Sequence, residues 1–193
     1  MKFLLLNLAF LLLSKQVYTQ ETGSSGTAVK ASFGIGINSG KKETGNGLIY
    51  SIGWQKSLGK EHKIRINPNM MFGEFSPFAI TDVRKQFYRI TNLGFNLYYD
   101  LIRYRAVSLV VTAGGFMNYS RGLLGTGGPP ELNHNRSEYF HHLYFGVNGS
   151  AGIRINSKKS RLAYEIRPVN IYYGTNEFIL GYMMIGVDIK LKK

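Results

Sequence analysis

Apolar and polar residues alternate one by one along most of this chain. In the stretch 29–37, Val29, Ala31, Phe33, Ile35 and Ile37 are apolar, while Lys30, Ser32, Gly34 and Gly36 between them are polar or glycine. Successive Cβ atoms of an extended chain point to opposite sides, so a period of two predicts a strand with two different faces. The pattern returns seven more times. Its apolar phases are Leu48, Tyr50, Ile52, Trp54; Ile64, Ile66, Met70, Phe72; Leu93, Phe95, Leu97, Tyr99; Val107, Leu109, Val111, Ala113; Leu143, Phe145, Val147, Ala151, Ile153; Leu162, Tyr164, Ile166; and Met183, Ile185, Val187, Ile189, Leu191. Eight strands follow, several of them longer than the usual 5–6 or so residues of a soluble sheet. Tilted strands of about 9–11 residues are what crossing a bilayer requires. Pro68 and Pro168 each remove a ladder donor, so a bulge or local disruption is expected at both.

The connections add a second rhythm. Residues 39–47, 76–86 and 120–138 read as longer links, and 57–62, 100–105 and 156–160 as short ones; only 173–177 is short where a long link would complete the alternation. Long links at one end and short turns at the other are the arrangement of an outer-membrane barrel, with an even strand count placing both termini on the short-turn, periplasmic side.

The two faces differ in content. The apolar face is bulky and nearly free of charge. The other is polar and rich in glycine: Gly34, Gly36, Gly53, Gly94, Gly114, Gly146, Gly152 and Gly186. A soluble barrel buries its bulky side chains inward, whereas a membrane barrel turns them outward. Aromatic residues gather near strand ends. Phe75, Phe87, Tyr88, Tyr119, Tyr139, Phe140, Tyr172, Tyr173 and Phe178 are expected as a girdle at the outer rim, with Trp54, Tyr99 and Tyr104 at the inner one. Composition agrees with an all-β chain with tight turns: 23 Gly, 13 Tyr and 12 Phe in 193 residues. There is no Cys, which excludes a disulfide framework and a thiolate metal site.

Charge is lopsided, with 24 Lys plus Arg against 11 Asp plus Glu, a formal +13. Such a balance suits nucleic acid or an anionic membrane surface. The N-terminus decides between them. Met1 and Lys2 precede an apolar run from residue 3 to 13, interrupted by Asn7, too short to span a bilayer as a helix and matching a secretory signal core. Cleavage after Thr19 leaves a signal peptide at 1–19, a short polar segment at 20–27 and a barrel at 28–193. It removes Lys2 and Lys15 and lowers the charge from +13 to +11. Export argues against nucleic acid as a partner.

These features resemble the small outer-membrane β-barrels of the OmpX and OmpA-membrane-domain kind, over roughly residues 29–191 and by pattern rather than by a unique motif. The resemblance implies a monomer assembled by the barrel-assembly machinery. Such proteins usually end in an aromatic residue, whereas here Lys192 and Lys193 follow Leu191. The fold class is therefore read as all-β, an eight-stranded antiparallel up-and-down transmembrane β-barrel preceded by a cleavable signal peptide.

Placing the inward residues by height brings Lys30, Arg65, Asp100, Arg154, Glu165, Arg167, Asp188 and Lys190 into the same half of the lumen, near the short turns. Buried opposite charges must pair, so an interior salt-bridge network closing the barrel floor is expected. The resemblance implies the same. A selectivity ring around a pore is the alternative, but eight strands enclose only enough space for side chains to fill. The short-turn rim is basic, with Lys56, Lys60, Lys63, Arg103, Arg105, Lys158, Lys159, Arg161, Lys192 and Lys193, and suits phospholipid headgroups. Lys41, Lys42, Arg84, Lys85, Arg121 and Arg136 in the outer loops suit the phosphates of lipopolysaccharide.

No catalytic site is expected. His62, His134, His141 and His142 are the only histidines, and a His134 or His142 pair with Ser137 is the one nucleophile arrangement to weigh, as in a lipid acyl hydrolase. Neither Gly34–Gly36 within a strand nor the run 125–130 has the context of a nucleotide loop, and no metal spacing occurs. No cofactor is implied. A soluble lipocalin-like barrel is the other alternative, against which Ile52-Gly53-Trp54 lacks that family's Gly-x-Trp spacing. The reading is a structural or surface-interaction barrel whose loop 120–138 does any recognising of an extracellular ligand.

Overall fold

The structure is a computed structural model that describes residues 26–59, 62–78, 86–125, 137–157 and 160–191. The expected signal segment 1–19 and most of the polar segment 20–27 lie outside the described residues, as do His134 and the central part of the loop 120–138. Eight strands run in chain order: β1 (Thr27–Ser39), β2 (Thr44–Leu58), β3 (Ile64–Pro77), β4 (Phe87–Tyr104), β5 (Val107–Gly125), β6 (Ser137–Asn156), β7 (Leu162–Gly174) and β8 (Ile179–Lys190). Each pairs antiparallel with the next, and β8 returns to β1, closing an up-and-down barrel. The chain ends of β1 and β8 share one end with the β2–β3, β4–β5 and β6–β7 turns. The opposite end carries the other four links and is called the loop end below.

The register shows how strongly the strands slant. From Ser32 the paired residues run through Ser51, Met71, Asn92 and Asn118 to Tyr144 on β6. In the other direction they run through Gly186 and Glu165 to Arg154. The two walks meet β6 ten residues apart, from 144 to 154. Closing a sheet into a barrel requires such a stagger and the tilt that goes with it.

Alternation sets the faces as the sequence predicts. Phe33, Ile35, Ile52, Trp54, Leu93, Phe95, Val147, Ile166 and Ile185 are exposed on the outside. Lys30, Asn67, Asn92, Asn96, Tyr98, Asn118 and Asp188 are buried within. Close inner packing depends on inward glycine. A Cβ on Gly36 would meet the Tyr182 Cβ at 2.5 Å and the Ile49 Cδ1 at 3.0 Å.

Four details correct or refine the expectation. First, Phe75, Tyr88, Phe140, Tyr172 and Phe178 do not belong to an outer girdle but point into the lumen, where each is at most 4% exposed. Phe87, Tyr119, Tyr139 and Tyr173 do face out, as do Trp54, Tyr99 and Tyr104 at the other end. Second, the disruption expected at both prolines takes two forms: at Pro68 the register is kept, but the β2–β3 ladder lacks the Trp54 and Gln55 partners. At Pro168 the register does shift against both neighbours, with Pro168 and Val169 both turned outward. A further bulge, unforeseen, puts Leu101 and Ile102 outside together. Third, the strands run further than the alternation alone indicates, so residues 40–43 suffice to join β1 to β2. The simple rhythm of longer loop-end links is thereby reduced to the β3–β4 and β5–β6 connections. Fourth, β5 and β6 have 19 and 20 residues and extend the loop end well past the roughly 9–11 residues that span a bilayer.

Candidate functional site

The lumen is filled in three layers. The lowest is ionic. Glu165, 1% exposed, is its hub: Lys30 Nζ lies 2.6 Å away, Arg167 Nε 3.1 Å, Arg154 Nη1 3.8 Å and Arg65 Nη1 3.9 Å. Asp188 takes Arg154 and, at 3.6 Å, Lys30. Asp100 accepts from Arg65 at 2.5 Å and from Arg103 at 2.8 Å, the latter reaching in from the rim. The slanted register builds this cluster, because it sets Lys30 directly opposite Asp188 and Arg154 directly opposite Glu165. Ion pairs this buried hold only when geometry and further hydrogen bonds offset the loss of hydration.

Two uncharged residues supply part of that offset, and sequence reasoning gave neither a role. The ring of Tyr98 faces Lys30 Nζ at 4.8 Å and the guanidiniums of Arg65 and Arg167 at 5.2 and 5.7 Å. Gln55, with its amide oxygen turned inward, accepts from Arg65 and Arg154, each at 3.1 Å. Both sit in the inward phase of their strands, which was the available signal. Of the eight expected charges, seven come together. Lys190 does not: it is half-buried at the end of β8 and forms no ion pair among the described residues.

The middle layer is amide and hydroxyl. Asn67 donates to the Trp54 carbonyl at 3.0 Å, Asn170 to the Arg167 and Tyr182 carbonyls at 3.0 Å each, and Thr112 and Ser150 share a bond of 2.6 Å. Asn92 and Asn118 face each other across β4 and β5 with amide groups that have no hydrogen-bond partner among the described residues. A cavity of about 10 Å³ lies between this layer and the ionic one, bounded by Lys30, Asn69, Asn96, Tyr98 and Arg167. That is scarcely space for one water.

The upper layer is aromatic. Phe75 stacks on Tyr88 at 5.2 Å, Tyr144 on Phe178 at 4.7 Å, and Phe116 meets Tyr172 at 4.8 Å. Over it folds the β1–β2 turn. Glu43, fully buried, accepts the Tyr144 hydroxyl at 2.9 Å, and the Lys41 backbone N–H donates to that same hydroxyl at 3.2 Å. Lys42 reaches Glu138 at 3.1 Å. The turn thus crosses the mouth to β6 on the opposite wall. Gly40 allows it, since a Cβ there would press on Glu43 Cδ and the Tyr144 hydroxyl at 2.9 Å each. No local sequence pattern announces a contact across about a hundred residues.

The histidines do not assemble the weighed nucleophile pair. His142 points inward, 3.8 Å from Glu43 by its Nδ1, while Ser137 is exposed at the start of the same strand and has the opposite phase. Five residues of strand hold them roughly 17 Å apart. His141 faces outward between Tyr119 and Tyr139, and His134 lies outside the described residues. At the terminal end Lys56, Lys63, Arg103, Arg105 and Arg161 are exposed or half-exposed, and the other expected rim cations are outside the described residues.

Against known proteins, no protein-family model matches the chain, and no curated protein matches it in sequence. Solved structures do match in fold. Neisserial surface protein A (NspA) superposes with a TM-score of 0.61 at 14% identity, over 88% of this chain and all of that one (100%). Ail, the attachment invasion locus protein of Yersinia pestis, gives 0.54 at 10% identity over 88% and 100%. The N-terminal β-barrel domain of Pseudomonas aeruginosa OprF gives 0.51 at 12% identity, again over 88% and 100%.

Proposed function

We propose that this chain, which has the fold of the small eight-stranded outer-membrane barrels, is itself an integral outer-membrane protein with a non-conducting lumen and a structural or surface-interaction role. One observation carries the reading: the faces are inverted, with bulky apolar side chains outside and paired charges inside. In water such an exterior would aggregate. In a bilayer it is the required surface. The filled lumen supports a plug rather than a selectivity ring, since the ionic, amide and aromatic layers leave about 10 Å³ between the first two.

In this reading both termini are periplasmic, the basic terminal rim meets inner-leaflet headgroups, and the chain is inserted as a monomer by the barrel-assembly machinery. Recognition falls to the loop end, where β5 and β6 run longest and the sequence places the link 120–138. Ail has been solved with the heparin analogue sucrose octasulfate. A polyanion at the loop end of this barrel is consistent with its exposed Lys41 and Lys42. The lipid-modifying alternative gains no support from the opposite phases of Ser137 and His142.

The test is fractionation followed by conductance. The expected result is recovery in the outer membrane only with detergent, heat-modifiable migration on gels, and no steady conductance in a planar bilayer. Recovery from the periplasm without detergent overturns membrane residence. A stable ohmic current overturns the plug.

A further inference from the structure

A second charged feature lies on the outside wall. Glu74 on β3, Arg89 on β4, Arg121 on β5 and His141 on β6 are successive cross-strand partners, all exposed and all in the outward phase. Glu74 pairs with Arg89 at 3.1 Å. Arg121 has no acidic partner among the described residues, and its two cross-strand neighbours are Arg89 and His141. Like charges directly opposite in a sheet destabilise it. This sheet nevertheless places them above a largely apolar wall: beneath Thr91 and Tyr119, Leu93, Met117, Leu143 and Phe145 are exposed on the same strands toward the middle of the barrel. Aromatic rings frame the row, with Phe87 5.9 Å from the Arg89 guanidinium and Tyr119 and Tyr139 at 6.5 and 6.0 Å from the His141 ring.

We propose that Arg89, Arg121 and His141 bind the phosphate of a membrane lipid whose acyl chains lie against the apolar wall below them. This deepens the proposed function and rests on its membrane residence. Arginines at facing positions of adjacent strands bring two guanidiniums within reach of one phosphate, whose oxygens an arginine fork takes up bidentately. A bound phosphate would also offset the repulsion between Arg89 and Arg121. The position selects a lipid over a soluble polyanion. The cluster sits on the lateral wall at the upper edge of the apolar band, whereas a soluble polyanion would meet Lys41 and Lys42 above the mouth.

The experiment uses the full mature barrel in phosphatidylcholine nanodiscs and native mass spectrometry, with bis-phosphorylated lipid A, its dephosphorylated form and inorganic phosphate as probes. The phosphorylated lipid is expected to stay bound at least ten-fold more tightly than the dephosphorylated one. R89Q/R121Q is expected to erase that difference, R121Q and H141Q to reduce it, and K41Q/K42Q to leave it unchanged. Equal retention of both lipids overturns the proposal, as does an R89Q/R121Q variant that retains the preference. Inorganic phosphate competing as strongly as the lipid overturns the lipid assignment. Loss in K41Q/K42Q alone moves the anion to the mouth and overturns it as well. Heat-modifiable migration of each variant reports folding separately. A barrel that needs detergent yet lacks the preference fails only this inference, whereas a barrel soluble without detergent fails the reading beneath it.

Discussion

Tyr144 donates its hydroxyl to Glu43 at 2.9 Å, although the two residues belong to opposite walls of the barrel. The bond turns a short hairpin link into a cover over the aromatic layer. A hydrogen bond to a buried carboxylate is worth about 1.5–3 kcal/mol. Tyr144→Phe is therefore expected to lower stability by that order and to speed hydrogen exchange at the backbone amides of residues 40–43, read by mass spectrometry. Unchanged exchange there would show that the turn is held by other means.

Glu165 faces four cations, so its neutralisation strands them together. Glu165→Gln is expected to cost roughly 3–5 kcal/mol in urea unfolding from micelles. Arg103→Gln, at a rim position about a third exposed, is expected to cost at most about 1 kcal/mol. Equal losses for the two would remove the distinction between hub and rim.

Phe178 is fully buried between Tyr144 and Phe116, while Tyr173, close to it on β7, faces outward. Phe178→Ala is expected to cost about 3–5 kcal/mol through the cavity it leaves. Tyr173→Ala is expected to cost clearly less. Reversal of that order in thermal or urea unfolding would contradict the inward placement of the aromatic layer.

Phe95 lies outside, midway along β4, paired with Pro68 and Gly115. An arginine at a lipid-facing midplane position costs about 2–4 kcal/mol. Phe95→Arg is expected to show that loss in lipid bilayers, as shifted equilibrium unfolding. A change near zero would mean that this wall meets water.

How far these positions were legible from sequence depends on phase. Along strand centres other than that of β7 the period of two held, so Phe33, Ile52 or Leu97 could be turned outward and Lys30 or Asp188 inward before any coordinates. At strand ends the same rule was available but was displaced by the preference of aromatic residues for interfaces. Tyr88 shares its phase with Asn92 and Asn96, and Phe140 shares its phase with His142 and Asn148, so both belong to the lumen. Tyr172 required the bulge as well: inward residues are odd-numbered through Arg167 and even-numbered from Asn170, and only the extra residue at Pro168–Val169 reconciles them. Glu43 was beyond reach because its partners lie on β6, a contact set by closure of the barrel and not by local sequence. The outward row Glu74, Arg89, Arg121 and His141 was missed for a related reason. Arg121 alone was read as a charge of the outer loops, and only the register aligns the four.

The slanted ladder has a consequence for the order in which the molecule can be made. The seven charges of the ionic layer come from β1, β3, β4, β6, β7 and β8, and no single hairpin carries more than three of them. Lys30 meets Asp188 only across the first and last strands. Pairs between neighbouring strands, such as Arg65 with Asp100, can form earlier, but until that seam joins the growing sheet is an open ribbon, and the last pairs and the drying of the interior come together. The layer therefore works as a completion signal. A barrel with a strand missing or out of register keeps a wet, incompletely paired interior, and much of the stability that distinguishes a finished molecule from an unfinished one arrives in the last step.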